Sequence, residues 1–223
     1  MSKTAKGITA LLVLIFIGIG VIGLIAIYPN FFVEETNVFD TADVQNIQLT
    51  MHSSTIEVFI DPNAKSISVS IRGKKQDVKN TKAGVKNGTL SITGVTNLAR
   101  SIEVTVIIPE GAVLDYDVNV NSGIVSIRNL DCGSCTIMAN SCEVTISNIN
   151  AANLDIDNDY GTASVYKLVG VKHHIKSNFG TMTITDATGQ ELIVETQFGR
   201  ATIQQIDYDT VTPIGDSGII DIQ

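Results

Sequence analysis

The sequence predicts an all-β protein, a single-stranded β-solenoid (β-helix) with coils of about 19 residues, preceded by one N-terminal transmembrane helix. The first observation behind this prediction is a fixed period. Six turn positions in the second half of the chain are 19 residues apart, and they are Gly123, Cys142, Gly161, Gly180, Gly199 and Gly218. A period this short and constant is typical of a solenoid, in which each coil buries its apolar face only against its neighbours. The second observation is an uncharged, largely apolar run over residues 7–33.

Each repeat contains two predicted strands that meet at the turn. Apolar residues stand seven and five positions before the turn and two and four positions after it, and polar residues alternate with them. In the coil around Gly161 these apolar positions are Leu154, Ile156, Ala163 and Val165. Alternation with a period of two is expected of strands that have one buried face. A further apolar residue seven positions after each turn is expected to fill a second corner.

The residues just before the turns predict two ladders along one corner. An Asp, Asn or Gln stands two positions before every turn, and Asx side chains favour corners because they bond to nearby backbone. The next position carries an aromatic residue in three successive coils, Tyr160, Phe179 and Phe198. Equivalent residues of successive coils lie about 4.8 Å apart, so these rings are expected to stack. We expect Phe179→Ala to cost about 3–5 kcal/mol, the range for truncating a buried aromatic side chain.

The N-terminal segment predicts a membrane anchor. Residues 8–27 form an uncharged stretch of 20 residues, which as a helix spans about 30 Å, the thickness of the hydrocarbon core. Lys3 and Lys6 precede it and acidic residues follow it, so the positive-inside rule places the N-terminus in the cytoplasm and the rest outside. No small-x-small cleavage site is evident after it, which favours a retained signal anchor. The expected organisation is a cytoplasmic tail (1–6), a transmembrane helix (7–29), a linker (30–43), an irregular β part or cap (44–112) and six regular coils (113–223).

Charge excludes some partners and indicates others. The formal net charge of −8 argues against nucleic-acid binding and for solubility at a cell surface. One basic segment departs from this balance, and its cations are Arg72, Lys74, Lys75, Lys79, Lys82 and Lys86. Because Gly73 and Gly84 lie in the same stretch, we expect a loop. Two interpretations remain open, a solvated loop that balances an acidic protein and a contact with anionic lipid head groups or an anionic wall polymer.

Three aspartates have the spacing that begins a calcium-binding loop, Asp155, Asp157 and Asp159. The glycine and the bidentate glutamate of such a loop do not follow at the required positions. The 19-residue register offers another interpretation. Asp155 would lie beside His174 of the next coil, and Asp157 beside Lys176, as ordinary pairs of opposite charge on neighbouring strands. We therefore predict no metal site and no cofactor.

The cysteines and histidines do not form a recognisable catalytic set. Cys132 and Cys135 have the spacing of a redox or metal motif, but no second pair accompanies them. A structural role, a Cys132–Cys135 disulfide and metal or catalytic chemistry all remain open. The three histidines are His52, His173 and His174, and their spacing with Ser, Cys or Asp proposes no triad. We predict that the protein is not an enzyme.

Some of these motifs resemble a known family. The segments around Leu114–Ile127 and Leu154–Gly161, with the lead-in at Pro109 and Gly111, resemble the bacterial "putative adhesin" family of unknown function. The resemblance covers residues 44–223 and implies a β-solenoid fold at the bacterial envelope, in some members beside envelope-stress signalling proteins. It implies no catalytic residues. Cys142 departs from the glycine of the family's turn.

The expected function is that of a membrane-anchored, extracytoplasmic interaction module, adhesin-like or accessory to envelope-stress signalling. The expected partner is a protein or the cell wall, and the cell membrane holds the single-pass anchor. The last coil is expected to offer an open strand edge to that partner, formed by Gly218, Ile219, Ile220, Asp221 and Ile222. The alternatives are a self-assembling structural polymer similar to bactofilins and, as a weaker one, a glycan-active enzyme.

Overall fold

Strands account for most of the computed structural model, which describes residues 32–94 and 102–223. In chain order the elements are β1 (Phe32–Phe39), a 3-10 helix (Thr41–Asp43), β2 (Asn46–Asp61), β3 (Ile67–Lys74), α1 (Lys75–Asn80), β4 (Thr81–Lys86), β5 (Thr89–Gly94), β6 (Ile102–Pro109), β7 (Asp115–Ser177), β8 (Thr181–Thr196), β9 (Arg200–Gly215) and β10 (Ile219–Ile222). The all-β prediction is therefore confirmed. The predicted transmembrane helix lies outside the described residues, and no helix within them is long and apolar enough to cross a membrane.

The 19-residue period is the register of a parallel sheet. Thr162 pairs with Thr181, Thr181 pairs with Arg200, and Arg200 pairs with Ile219. Each partner lies one period further along the chain, so every coil stacks directly on the one before it. β7 runs through several coils without a break, and β8, β9 and β10 continue the same stack.

A further level below the regular coils is formed by β2. It pairs in parallel with β7, and Ser54 lies opposite the turn residue Gly123. The first half of β2 also pairs with β5 and the second half with β6. In the sheet β2 thus lies between β6 and β7, although it precedes β3 in the chain. The order of the levels therefore differs from the order of the sequence.

Antiparallel strands end the stack on that side. β3 pairs with β6, and β4 pairs with β5, while β1 lies beyond β3. The prediction of a loop over the basic segment is wrong, because residues 72–86 form the end of β3, α1 and β4. Val78 of α1 is buried against the core, and this contact orders the segment despite its charge.

The first corner requires glycine because neighbouring coils approach closely there. Gly123 and Gly161 have φ angles of 132° and 128°, which side chains other than hydrogen rarely allow. A Cβ at Gly161 would also collide with the carbonyl oxygen of Cys142. Cys142 fits the same column with its side chain turned inward, where it is buried and Sγ lies 3.5 Å from the Val120 oxygen.

Candidate functional site

The outer side of β10 is the first candidate surface. Within the described chain, β10 pairs only with β9. The Ile219 N–H donates to the Gly199 oxygen at 3.0 Å, and the Gln223 N–H donates to the Ile203 oxygen at 2.9 Å. In a parallel strand, alternate residues direct their backbone groups to opposite sides. The N–H and C=O groups of Ile220 therefore point away from β9.

Apolar side chains surround this edge. Ile219 is 57% exposed, and Ile222 is 48% exposed although its partner one coil earlier, Ile203, is fully buried. The edge predicted from Gly218 to Ile222 thus combines free backbone groups with exposed isoleucines. Such an edge is a template for adding a strand.

The six cations of the basic segment do not form one patch. Arg72 extends from β3 to Glu103 of β6, with 3.2 Å between Nη1 and Oε2, and both side chains are more than half exposed. Lys74 ends β3 and Lys86 ends β4. None of these three cations lines the cleft that the remaining three share.

The remaining three lysines line one open cleft. Lys75, Lys79 and Lys82 face a space of about 450 Å³ between β1, α1 and β4. Glu34 and Glu35 of β1 line the same cleft. The structure thus brings half of the predicted basic residues together, next to two carboxylates that sequence analysis had assigned to the linker.

The charged pairs predicted from the register are present. His174 Nδ1 lies 3.2 Å from Asp155 Oδ1, and Lys176 Nζ lies 3.6 Å from Asp157 Oδ2. Cross-strand pairing therefore explains the calcium-like spacing of the aspartates. Among the described residues, no group of three or more His, Cys, Asp or Glu side chains is placed to hold a metal ion.

The aromatic stack at the first corner is present but exposed. The Tyr160 and Phe179 ring centroids are 5.0 Å apart with an angle of 5° between planes, and Phe179 and Phe198 are 5.0 Å apart at 13°. The three side chains are 49–59% exposed. The expected cost of 3–5 kcal/mol for Phe179→Ala is therefore too high, since that range applies to fully buried rings.

The Asx ladder runs beside these rings. Asn140 donates from Nδ2 to Asn121 Oδ1 at 3.0 Å, and Asn178 donates to Asp159. Residues of three successive coils line a small open cavity of about 210 Å³ that reaches Asp159, the chain neighbour of Tyr160, and they include Asn119, Asn121, Met138, Asn140, Asp157 and Asp159. The ladder could be predicted from the sequence. The cavity could not, because it depends on the distances between the outward-facing side chains.

A second groove follows the opposite corner, six to eight positions after each turn. Its volume is about 580 Å³, and its lining includes Asn129, Asn148, Lys167 and Asp186. Asn148 donates from Nδ2 to Asn129 Oδ1 at 2.8 Å. The apolar residue seven positions after each turn predicted this second corner, but the groove was not predicted, although a polar residue before each inward apolar residue was a visible signal.

The three cysteines are buried free thiols. Burial, followed by the nearby carboxylates of Asp115 and Asp131, raises the pKa of Cys132 to about 12. Burial also raises the pKa of Cys135. Because the thiolate is the reactive form, neither side chain is prepared for redox chemistry, and the Cys132–Cys135 disulfide considered from the sequence is not formed.

Comparison with known proteins found one family model and several solved structures that are similar to this chain. The model of the family described as Toastrack DUF4097 matches residues 44–223. A "putative adhesin" structure from Bacteroides fragilis is 14% identical, with 86% of this chain and 97% of that chain covered and a TM-score of 0.46. A "putative adhesin" from Parabacteroides merdae is 11% identical, with 86% and 96% covered and a TM-score of 0.45. A "putative cell adhesion protein" from Clostridium sporogenes is 14% identical, with 86% and 99% covered and a TM-score of 0.35. No curated protein matches the chain.

The family match begins at Val44, just before β2, and continues to the last residue. It thus includes the antiparallel strands, the level formed by β2 and all the regular coils. The family resemblance predicted from the sequence is confirmed, and the chain belongs to the Toastrack DUF4097 family.

Proposed function

We propose that the protein is a membrane-anchored, extracytoplasmic binding module of the bacterial envelope, and that a protein partner adds a strand to β10. In this role the stack of 19-residue coils is a rigid solenoid without catalysis. The observation that carries the proposal is the free outer side of β10, where the backbone groups of Ile220 have no partner within the described chain. A partner strand would satisfy these groups and cover the exposed Ile219 and Ile222.

Strand addition fits this edge better than docking onto a flat face. Main-chain hydrogen bonds supply affinity in this binding mode, and pockets for alternate side chains supply specificity. The edge offers the free backbone groups of Ile220, and its side chains alternate, with Ile219 and Asp221 on one side of the sheet and Ile220 and Ile222 on the core side. An extended, apolar segment of the partner is therefore the expected ligand.

The membrane part of the proposal rests on sequence. Residues 8–27 are long and apolar enough for one span, with Lys3 and Lys6 on the cytoplasmic side. The cleft lined by Lys75, Lys79 and Lys82 would add an electrostatic contact with an anionic envelope surface. Its two glutamates limit the strength of that contact.

The test removes one hydrogen-bond donor from the free side of β10. Ile220→Pro deletes an N–H that points away from β9, so the bonds between β10 and β9 are retained. Ile220→Ala is the matched control, because it shortens the same side chain and keeps the N–H. A photoreactive residue at Gln223 in the full chain, expressed in its own cells, would report what lies against the edge.

We expect the Gln223 probe to cross-link a protein, and we expect Ile220→Pro but not Ile220→Ala to abolish this product. A photoreactive residue at Thr183, in the middle of the sheet, should give no such product. Equal cross-linking by both Ile220 variants would contradict strand addition. A product that contains only a second copy of this chain would replace the proposal with self-assembly.

A further inference from the structure

The aromatic stack leaves one face of Tyr160 open. Phe179 covers the other face at a centroid distance of 5.0 Å. One coil below, the same column carries Ser141, and Tyr160 remains 50% exposed. Aromatic surface that a fold leaves exposed beside a cavity is a common feature of binding sites.

The cavity that reaches Asp159, the residue before Tyr160, is lined by planar polar side chains and by apolar ones, of which Met138 is the most exposed. Met138, one of these lining residues, is 53% exposed. Asn119 is exposed and, among the described residues, makes no side-chain hydrogen bond. Asn140 uses Nδ2 to bond Asn121, so its Oδ1 remains able to accept.

The carboxylates at the upper rim are also only partly used. Lys176 approaches Asp157 Oδ2 at 3.6 Å, whereas within the described chain Asp157 Oδ1 has no hydrogen-bond partner. Asp159 accepts from Asn178 through Oδ1. Asp157 Oδ1 is enclosed and has almost no exposed surface, so the accessible polar groups of the cavity are the amides of Asn119 and Asn140.

We propose that this corner binds an uncharged saccharide, with one pyranose ring over the open face of Tyr160. The C–H bonds on the face of a sugar ring are weakly positive and match the negative face of an aromatic ring. The sugar hydroxyls both donate and accept, as the exposed amides of Asn119 and Asn140 require. Met138 supplies apolar contact beside the ring.

Charge argues against other flat ligands. A nucleotide or an acidic polysaccharide would bring its negative charge next to Asp157 and Asp159, and like charges at close range repel. The cavity of about 210 Å³ also suits one sugar ring rather than a folded protein segment. The site lies several coils from β10 and does not depend on the proposed strand partner.

The test measures oligosaccharide binding by the full chain in detergent micelles, with calorimetry of chitohexaose and cellohexaose and with an alginate hexamer as an anionic probe. Tyr160→Ser removes the ring and installs the residue that Ser141 provides one coil below. Asn119→Ala removes an amide that makes no hydrogen bond within the described chain. Tyr166→Ser is the control, because Tyr166 is equally exposed at 47% but lies outside this corner.

We expect at least one neutral hexamer to bind, and both Tyr160→Ser and Asn119→Ala to weaken it by about ten-fold or more. Tyr166→Ser should bind like the wild type. Preference for chitohexaose would indicate an N-acetylated wall-type glycan, and preference for cellohexaose an external neutral polysaccharide. Absence of binding by both neutral hexamers, equal binding of the alginate hexamer, or an equal loss in Tyr166→Ser would each overturn the proposal. Thermal melting of every variant identifies a change caused by unfolding.

Discussion

His173 is a titratable side chain enclosed by the core. It occupies an inward column that Leu154 and Leu192 fill in the neighbouring coils, and it is fully buried. Its Nδ1 lies 2.5 Å from the Tyr208 hydroxyl, and its Nε2 lies 3.3 Å from the Ala151 oxygen. The carbonyl can only accept, so Nε2 carries the proton and the Tyr208 hydroxyl donates to Nδ1. The folded state therefore holds His173 in its neutral form.

This burial makes stability depend on pH. Desolvation lowers the pKa of His173 below its ordinary value of 6.5, and the bond to Ala151 opposes it only in part. Between the lowered pKa and 6.5 the unfolded chain binds more protons than the folded one, so stability is complete above that range and is lost as the pH falls. We expect the free energy of unfolding to fall by about 1 kcal/mol more in the wild type than in His173→Leu between pH of about 7.5 and about 5.5.

Urea titrations of the two proteins at both pH values measure this difference. Leucine suits the position because it fills the same column in the coils above and below. All other side chains are the same in both proteins, so the comparison isolates position 173. Identical pH dependence in the two proteins would mean that His173 is not held neutral by the fold.

The second corner of the coils has an unusual backbone conformation. Five residues 19 positions apart have φ angles of 52–59°, namely Asn129, Asn148, Lys167, Asp186 and Gln205. This left-handed region is unfavourable for most side chains but is tolerated by Asn and Asp, whose short polar groups bond locally. The corner therefore favours Asn or Asp, a preference that cannot be recognised from the pattern of apolar residues. Lys167 does not meet this preference.

The same corner predicts a stabilising substitution. Lys167→Asn places a residue that accepts the left-handed conformation above Asn148, whose Oδ1 can still accept a hydrogen bond because Nδ2 bonds Asn129 at 2.8 Å. We expect the free energy of unfolding to rise by about 0.5–1 kcal/mol from reduced strain and one more rung of the ladder. Denaturant midpoints of Lys167→Asn and Lys167→Ala make the comparison. Alanine removes the same charge without relieving the strain, so a gain in both variants would assign the effect to charge.

For the molecule as a whole, the sequence predicts the structure of the repeating coils but not the pairing of the strands that lie outside the 19-residue period. Leu154 and Val165 could be assigned inward because their columns recur every 19 residues and burial follows the period. β2 could not be recognised as a coil, because Ser54 replaces the glycine and its partner Gly123 lies 69 residues later. Pairing over such a distance depends on chain reversal through β3 and β4, which no local pattern encodes.

Some features of the candidate surfaces could be predicted from the sequence and others could not. The edge at Ile220 follows from the register and was predictable. The exposure of Phe179 was not, because a stack at a corner and a stack in the core have the same spacing in sequence. The cleft at Lys79 is formed partly by β1. Because the sequence predicts a linker over the residues of β1, neither the shape of the cleft nor its two glutamates could be anticipated.

The proposed placement of the coils outside the cytoplasmic membrane can be tested with the protein's own cysteines. Cys132, Cys135 and Cys142 are buried, and burial raises the pKa of each thiol, so the folded wild type should not react with a maleimide. Gln190→Cys adds an exposed thiol on β8. We expect a maleimide that cannot cross the cytoplasmic membrane to label Gln190→Cys in intact cells and to leave the wild type unlabelled until it is denatured. Labelling of Gln190→Cys only after the membrane is broken would place the coils in the cytoplasm and reverse the orientation that Lys3 and Lys6 predict.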